Sequence, residues 1–406
     1  MKPALPNLRH LRAFREVADC RNISLASNRV HLSQPAITQA IAKLETILGT
    51  SLFDRRSDGM FVTEPGKRFR MRVDRALSLL EQGAAKALQI APKRHGRGFN
   101  KFDQLLTSAQ LRALIAVSRA ENFSLAAKRI GISQPSLHRA ARDLERLAGI
   151  VLFEKVSQGI RLTPPAHVLA QHAKLTMAEM RQGYDEIEER KGMDVSRITV
   201  GSLPLARTYV LPHAIHRLGD IRPDVQVSVV DGPYDDLLHA LRHGDIDILI
   251  GALRDPLPID DVQQHPLFTD QLTMAARAGH PLADKRRLKL ADLAGYPWVV
   301  PRHGTPTRAH IERIFSEAQV APRLVEASSL VLARGLLLRS DRLTIISAHQ
   351  IRYELERGLL VSLPLDMPKM DRPIGVTLRR DWQPTASQDE FLNAIRHAGD
   401  KVGALK

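Results

Sequence analysis

Apolar residues near the start of the chain recur every three or four positions, which is the spacing of a buried helix face. Leu11, Phe14 and Val17 predict one such helix. A later helix has its apolar face at Ile37, Ile41, Leu44 and Leu48. Beyond Arg197 the pattern changes to short β-branched runs separated by helical stretches. The chain is therefore predicted to have a helical N-terminal half and an α/β C-terminal half.

The helical half contains an internal repeat. A shift of 100 residues places residues 11–53 on residues 111–153 without a gap, and 18 of the 43 aligned positions are identical. Composition alone gives roughly three identities in a segment of that length. Two units are too few for a solenoid, so the repeat indicates a duplicated domain. The units are called copy one and copy two below.

Each copy has the same sequence of start and stop signals. Ser24 and Ser124 are candidate N-caps of a short second helix. A three-residue turn follows, and Ser33 and Ser133 are candidate N-caps of a third helix. Pro35 and Pro135 fall in its first turn, where a missing N–H is harmless. Two helices joined by so short a turn predict a helix-turn-helix.

The outer face of the third helix is polar in both copies. This third helix is the second helix of the helix-turn-helix, which enters the DNA major groove. There Gln pairs with adenine and Arg with guanine. The blander alternative is that these side chains are only hydrated surface. The predicted DNA-binding residues on this helix are Ser33, Gln34, Pro35, Ala36, Thr38, Gln39 and Lys43 in copy one and Ser133, Gln134, Pro135, Ser136, His138, Arg139 and Arg142 in copy two.

A short hairpin is predicted after each third helix, with Asp58-Gly59 or Gln158-Gly159 in its turn. Such a wing brings basic side chains near the phosphate backbone. Arg55 and Arg56 in copy one and Lys155 in copy two are therefore added to the predicted DNA-binding residues.

The net charge of +15 is concentrated in the helical half, since residues 1–100 contribute +10 and residues 201–406 only +1. Clustered Lys and Arg favour nucleic acid as a partner, because they displace counterions from phosphates. A basic surface that only improves solubility is the alternative. Aromatic residues are 4% of the chain, which argues against stacking on single strands.

Each copy resembles the winged helix-turn-helix domain of LysR-type transcriptional regulators. The resemblance rests on Asn22-Ile23-Ser24, Ser33-Gln34-Pro35-Ala36, Leu44-Glu45 and Leu52-Phe53, and on Asn122-Phe123-Ser124, Ser133-Gln134-Pro135-Ser136, Leu144-Glu145 and Leu152-Phe153. Copy two departs from the pattern at Ala148 and Lys155. A chain of this family usually has one such domain, so the duplication leaves open whether both copies bind DNA.

The resemblance also implies a long dimerising linker helix after each copy. Phe69, Val73, Leu77 and Leu80 have the spacing of a coiled-coil seam, as do Leu169, Ala173, Met177 and Met180. A helix packed on its own domain is the alternative. The predicted boundaries are 8–66 for copy one, 67–91 for its linker helix, 92–104 for a basic flexible linker, 105–165 for copy two and 166–191 for the second linker helix.

The C-terminal half resembles the LysR-type effector-binding domain, which is similar to periplasmic binding proteins. The resemblance rests on Gly201-Ser202, Leu211-Pro212, Gly244-Asp245-Ile246-Asp247 and Gly279-His280-Pro281-Leu282. It implies two α/β lobes within residues 196–400, with lobe one at 196–270 and 347–400 and lobe two at 271–346. A cleft between two lobes is a favoured site for a small molecule.

The predicted effector-binding residues lie in loops after strands. They are Ser202, Arg302, Thr305, Thr307, Ser328 and Ser329, with Arg308 as a further charge. Hydroxyls and helix N-termini suit a carboxylate or hydroxylated ligand, and Arg adds a charge pair. Ordinary helix capping is the alternative for each hydroxyl residue.

Other functions find little support in the sequence. The chain has no P-loop, His-Glu-x-x-His or Gly-x-Ser-x-Gly motif, so no catalytic residue, metal or cofactor is predicted. Its single cysteine, Cys20, excludes an intrachain disulfide, and a small buried side chain is favoured over a redox sensor. The absence of a long apolar run and of a signal peptide predicts a cytoplasmic protein without membrane contact.

The sequence therefore predicts a transcriptional regulator of LysR type. It is expected to bind double-stranded promoter DNA and a small effector and to form a homodimer or homotetramer. A dimer would then supply four DNA-binding units. The alternative is a solute-binding or enzymatic α/β domain joined to a DNA-binding half in which only copy one contacts DNA.

Overall fold

The computed structural model describes residues 6–91, 98–99, 101–157, 159–192, 194, 196–257, 259–365 and 372–404. Up to residue 190 the described chain is helical apart from two small hairpins. After residue 196 it forms two α/β lobes. The predicted fold class, with a helix-turn-helix region followed by a two-lobed domain, is confirmed.

Copy one contains three helices, a hairpin and a long helix. Their bounds are α1 (Leu8–Cys20), α2 (Ile23–Val30), α3 (Gln34–Leu48), β1 (Phe53–Arg56), β2 (Gly59–Val62) and α4 (Glu64–Ile90). Copy two repeats them after a 3-10 turn at Phe102–Leu105. Their bounds are α5 (Ser108–Ala120), α6 (Phe123–Ile130), α7 (Gln134–Ala148), β3 (Phe153–Val156), β4 (Gly159–Leu162) and α8 (Pro164–Arg190).

The helix caps differ from prediction at one place in each copy. Ser33 and Ser133 cap α3 and α7 as predicted, each accepting from the backbone N–H three residues on. The prediction that Ser24 and Ser124 cap the second helix is wrong. Asn22 and Asn122 do so, with Oδ1 accepting from Leu25 and Leu125 N–H at 3.0 Å. Asparagine bonds its own downstream backbone more readily than a serine placed inside the first turn.

The predicted flexible linker is only partly described. Residues 92–97 and Asn100 lie outside the described residues, as does Gln158 of the predicted second wing turn. At the end of the predicted linker, residues 102–105 form an ordered 3-10 turn, and Phe102 is fully buried. The apolar side chain anchors this segment, so the last part of the flexible-linker prediction is wrong.

The two long helices α4 and α8 pack against each other along their length. Their seam residues and the cores of both copies form one continuous hydrophobic cluster, from Leu8 to Ile187. The predicted coiled-coil seam therefore exists, but it joins the two linker helices of one chain. The partners expected from the sequence were another chain or the helix's own domain. Packing between the two linker helices of one chain was not expected.

Lobe one is a five-stranded sheet in the order β6-β5-β7-β14-β8. Its strands are β5 (Arg197–Ser202), β6 (Gln226–Asp231), β7 (Ile248–Ala252), β8 (Val262–Asp270) and β14 (Arg372–Arg379). β5 is parallel to β6 and β7, whereas β14 is antiparallel to its neighbours. The helices of this lobe are α9 (Val210–Ile221), α10 (Tyr234–Arg242) and α14 (Ala386–Ala404), of which α9 and α14 pack together.

Lobe two is built around a three-stranded antiparallel sheet in the order β12-β9-β13 and a parallel pair, β10-β11. Its strands are β9 (Leu272–Arg277), β10 (Trp298–Val300), β11 (Leu324–Glu326), β12 (Thr344–Ser347) and β13 (Leu360–Leu363). Its helices are α11 (Pro306–Ala318), α12 (Leu330–Leu338) and α13 (Arg352–Glu356). Trp298 is the largest fully buried side chain of its core.

The predicted lobe boundary at residue 347 is wrong. β13 pairs with β9 from Leu360 to Leu363, so residues 348–363 remain in lobe two. Val361 and Leu363 pack into the lobe-two core. Lobe one resumes with β14, which begins at Arg372.

Close approach of α4 and α8 depends on a glycine on each helix. A Cβ built on Gly83 would lie 2.5 Å from His172 Cβ, and one on Gly183 would lie 3.1 Å from Arg72 Cβ. The first distance is too short for any real side chain, so the backbone of α4 comes nearer to α8 there than any other residue would allow.

Gly83→Ala is expected to destabilise the protein, because overpacking a core costs about 1–3 kcal/mol and exceeds the gain in helix propensity. Gly219→Ala in α9 is a matched control, since no atom lies within 4 Å of the added Cβ. The control should raise the unfolding free energy by about 0.5–1 kcal/mol. Thermal unfolding of both variants tests this, and an equal rise in Tm would contradict the packing seen here.

Candidate nucleic-acid interface

Helix α3 separates a buried face from an exposed one. Ile37, Ile41, Leu44 and Leu48 are buried, as the sequence predicted. On the other side Ser33, Gln34, Pro35, Gln39 and Lys43 are exposed, and Ala36 and Thr38 are partly covered. The predicted contact residues of copy one therefore share one accessible face.

Two side chains of this face are positioned by local hydrogen bonds. Gln34 Nε2 donates to Ser24 Oγ at 3.1 Å, and Thr38 Oγ1 donates to the Gln34 carbonyl at 3.0 Å. Ser24 thus orients Gln34, although sequence reasoning assigned it to a cap. Gln34 stays exposed, so its Oε1 acceptor is accessible to a further partner.

Helix α7 presents a different set of side chains on the equivalent face. Ser133, Gln134, Pro135, Ser136, His138, Arg139 and Arg142 are all exposed. The His138 ring meets Phe123 edge-on with centroids 5.1 Å apart, and Arg142 Nη1 donates to Glu145 at 2.5 Å. Together with Lys155, the side chains of Gln134, His138 and Arg142 line one concave surface. The structure thus brings four predicted residues of copy two together.

The two wings differ in charge. Arg55 and Arg56 are exposed on β1, and the Arg56 guanidinium lies 4.9 Å from the Phe61 ring. The equivalent strand β3 has Lys155 and Val156, and Arg161 on β4 is paired with Glu154. Copy one therefore offers the more basic wing.

Glu45 and Glu145, members of the family motif without an assigned role, connect each third helix to its wing. Glu45 Oε1 accepts from Leu52 N–H at 2.8 Å and from Phe53 N–H at 3.4 Å. Glu145 Oε1 accepts from Leu152 and Phe153 at 2.9 and 3.0 Å. Two charge-assisted bonds fix the wing relative to the recognition helix in both copies.

A buried ion cluster holds the two copies together. Arg72 on α4 is 3% exposed, and its Nη1 donates to Glu179 of α8 at 3.0 Å. Its Nε and Nη2 donate to Glu186, also of α8. Burial alone would lower the pKa of Arg72, but its bonds to Glu186 and Glu179 outweigh burial and raise it. Arg72 therefore stays charged in the seam.

The predicted effector-binding residues lie at carboxyl edges of parallel strands. β10 and β11 are parallel, the loops after them carry Arg302, Thr305, Ser328 and Ser329, and Thr307 lies in the first turn of α11. Ser202 ends β5 beside the parallel strands β6 and β7 and is fully buried. The carboxyl ends of parallel strands are where open α/β sheets bind ligands.

Several of these residues also have structural tasks. Thr305 and Ser329 cap α11 and α12, and Ser202 Oγ donates to the Leu203 carbonyl. Arg302 and Ser328 are exposed. The proposed ligand role of Arg308 is wrong, because its buried guanidinium is already bound by Glu312, Glu326 and the Pro301 carbonyl.

A polar cluster between the lobes was missed by sequence reasoning. Asp270, at the end of β8, is fully buried and accepts from Ser347 Oγ and from Arg372 Nη2, both at 2.5 Å. Arg372 Nη1 also donates to Thr307 Oγ1 of α11 at 3.2 Å. Arg372 thus connects lobe one to α11 of lobe two. The loop before α11 contains the predicted effector residues Arg302 and Thr305. The sequence signal was weak, namely a charged residue at each of two strand ends.

The part of the chain that the structure describes holds no group of three or more His, Cys, Asp or Glu that suits a metal ion. Among the same residues no helix is both long and apolar enough to cross a membrane. Cys20 is a partly buried free thiol at the end of α1.

Two family models match the chain. The model for the LysR substrate binding domain matches residues 191–400. The model for the bacterial regulatory helix-turn-helix protein, lysR family, matches residues 8–67 and again residues 108–167. Together they account for most of the described structure.

Named relatives match over long stretches. The HTH-type transcriptional regulator GalR of Pseudomonas putida is 33% identical over 394 residues, which is 97% of each chain. PcaQ of Agrobacterium fabrum is 28% identical over 302 residues, covering 97% of its own length but 74% of this chain. The first alignment includes both copies, whereas the second leaves about a quarter of this chain unmatched.

Solved structures share the fold. ArgP of Mycobacterium tuberculosis matches with a TM-score of 0.56 at 18% identity, covering 71% of this chain and 96% of that one. A full-length OxyR variant of Pseudomonas aeruginosa matches with a TM-score of 0.51 at 22% identity, covering 72% of this chain and 93% of that one.

Asp270→Asn is expected to destabilise the protein by about 3 kcal/mol, because it removes the charge partner of a largely buried arginine. Asp224→Asn, an exposed loop change, should alter the unfolding free energy by no more than about 0.5 kcal/mol. Equilibrium denaturation of both variants is the measurement. Equal stabilities would show that the Asp270–Arg372 pair does not stabilise the cluster at which lobe one contacts Ser347 and Thr307 of lobe two.

Proposed function

The chain belongs to the LysR family of DNA-binding transcriptional regulators, and on that premise we propose that both of its helix-turn-helix copies bind promoter DNA. It is a regulator with an effector-binding domain and not an enzyme. The observation that carries the proposal is the repeated geometry of α3 and α7, in which a serine cap and a first-turn proline leave Gln34 and Gln134 exposed at the same position.

The two copies are proposed to divide the contacts differently. Gln34, Gln39 and Lys43 approach bases and phosphates from α3, and Arg55 and Arg56 hold the adjacent backbone. In copy two Gln134, Ser136, His138, Arg139 and Arg142 take the groove-facing role, and Lys155 supplies the wing contact. Ser33, Pro35, Ala36, Thr38, Ser133 and Pro135 position the two helix starts at the DNA surface.

The effector proposed for the interlobe region is a small carboxylate or hydroxylated molecule. The support is that β10 and β11 are parallel and end side by side, and that the segments after them contain Arg302, Thr305, Thr307, Ser328 and Ser329 and begin two helices. Ser202 is the last residue of β5 in lobe one. Binding there shifts the balance between lobe arrangements and so acts on the DNA-binding units.

The chain is further proposed to act in the cytoplasm, where its DNA is, as a homodimer or homotetramer. A dimer would carry four DNA-binding units. Exposed apolar side chains on lobe one at Ile221, Val229 and Val230 offer surface for such contacts. The alternative, in which copy two is only structural, is decided by the first experiment below.

Gln34→Ala and Gln134→Ala are each expected to erase a different part of the footprint on the DNA upstream of the gene. Loss of one base contact costs about 1–3 kcal/mol, which weakens binding about 5- to 150-fold. The measurement is a nuclease footprint at fixed salt. Gln226→Ala, exposed on lobe one, is the control and should leave the footprint intact. An unchanged footprint for Gln134→Ala would show that copy two is structural.

Thr307→Ala is expected to reduce the Tm increase caused by a binding acid, whereas Thr307→Ser should retain it. One lost hydrogen bond is worth about 0.5–1.5 kcal/mol, which corresponds to about 2- to 12-fold weaker binding. The measurement is thermal shift with a panel of aliphatic, hydroxylated and aromatic carboxylic acids. Ser316→Ala, exposed on the same helix, is the control. A full shift with Thr307→Ala would place the ligand elsewhere.

A further inference from the structure

Contacts between the two copies occur in equivalent pairs. Replacing each residue of one contact by its equivalent 100 positions away in the other copy gives a second contact that is also present. Gly83 packs on His172, and its equivalent Gly183 packs on Arg72, the equivalent of His172. At the ends of the long helices, Lys191 Nζ donates to the Leu48 carbonyl at the end of α3. On the other side, the segment after α4 also meets the end of the opposite third helix, where Phe99 N–H donates to the Leu147 carbonyl of α7, although these two contacts are not equivalent residue by residue. Such paired contacts are what a two-fold relation produces.

Other contacts join a residue to its own equivalent and so mark the axis. Thr176 Oγ1 donates to the Ala76 carbonyl at 3.2 Å, and Leu8 N–H donates to Ser108 Oγ at 3.2 Å. Both pairs are separated by 100 residues, which is the repeat shift. Helices α4 and α8 therefore run antiparallel across a near two-fold axis, and α3 and α7 are related by it.

This arrangement is fixed within the chain. The copies share one hydrophobic core, and the Arg72 guanidinium is buried between α4 and the two glutamates of α8. Separating the copies would break these ion pairs and expose the shared apolar core to water, which is strongly unfavourable. The two recognition helices are thus presented as a preformed pair.

The recognition faces of the pair are not the same. Position by position, copy one has Thr38, Gln39, Ala42 and Lys43 where copy two has His138, Arg139, Arg142 and Asp143. Only the leading glutamines, Gln34 and Gln134, are shared on these faces, along with the caps and prolines. A glutamine pairs with adenine and an arginine with guanine, so positions 39 and 139 favour different bases.

We propose that one chain binds a two-part DNA element with both copies in cis, and that the two half-sites differ in sequence. The inference rests on the proposed function, since it requires both copies to contact DNA. Two-fold related recognition helices match the local dyad of duplex DNA and occupy two major-groove segments of one duplex. Because the second contact is intramolecular, its effective concentration is high and no second chain is needed to complete the element.

The first test is the saturation stoichiometry of the full chain on a short duplex. The element is obtained by selection from random duplexes with the full-length protein and trimmed to two half-sites. Titration far above the dissociation constant, followed by fluorescence anisotropy, should saturate at one duplex per chain, whatever the number of chains in the oligomer. Saturation at two chains per trimmed duplex would overturn binding in cis.

The second test exchanges one base-contacting residue. Gln39→Arg should change the selected base from adenine to guanine at one position of one half-site by about 5-fold or more, and Arg139→Gln should make the reverse change in the other half-site. Arg146→Gln, at the far end of α7, is the matched control and should change neither. A change in both half-sites with a single variant would show that they are bound by the same copy and would overturn the proposal.

The two tests separate this inference from the function it rests on. If Gln134→Ala leaves the footprint intact, copy two does not bind DNA and the proposed function fails. If both glutamines matter but the duplex saturates at two chains, both copies bind DNA and only binding in cis is wrong. Both exchanged residues are exposed, so thermal unfolding should show unchanged stability for both variants.

Discussion

The antiparallel packing of α4 against α8 is the contact on which the rest of the molecule depends. It merges the cores of the two copies. It also requires glycine at position 83, because the α4 backbone lies so close to His172 of α8 that a Cβ would not fit. It also buries the guanidinium of Arg72, which is stable there only because Glu179 and Glu186 supply opposite charges and hydrogen bonds. Such a seam specifies one partner, since a shifted pairing would leave the arginine unpaired.

The same seam connects the DNA-binding half to the effector domain. Arg72 Nη1 also donates to the Gln383 carbonyl, and Arg75, bound to Glu179, donates to the Asp381 carbonyl just before α14. On the other side Asp245 of lobe one pairs with Lys174 of α8 and Arg119 of α5. Burial would raise the pKa of Asp245, but these cations lower it below its usual value, so the pairs persist at neutral pH. Lobe one therefore contacts the helix pair directly, whereas lobe two meets lobe one at Arg372 and Asp270.

Local chemistry explains which parts of this structure were predictable. The repeat, the Ser33 and Ser133 caps and the buried stripe of α3 depend on residues within one or two turns of each other. The errors concern distant partners. Nothing near Phe69 or Val73 in the sequence indicates that their seam would meet α8 of the same chain, and nothing near residue 347 shows that β13 returns to β9. The Arg372 cluster joins residues 65 to 102 positions apart, beyond the reach of any periodicity.

Joining two helix-turn-helix copies in one chain changes which substitutions each copy can accept. In a homodimer each substitution on the recognition helix appears in both subunits, so the two half-sites must stay alike. Here the glutamates that hold each wing, Glu45 and Glu145, are the same in both copies, whereas the outward positions have diverged as far as Lys43 and Asp143, which are opposite in charge. The Ser133 cap and the Pro135 start would be kept by any folded α7, but a copy that had lost its recognition surface would have no structural need for an exposed Gln134 in register with Gln34. A shared glutamine beside divergent neighbours is the pattern expected under the proposal that each copy contacts its own half-site.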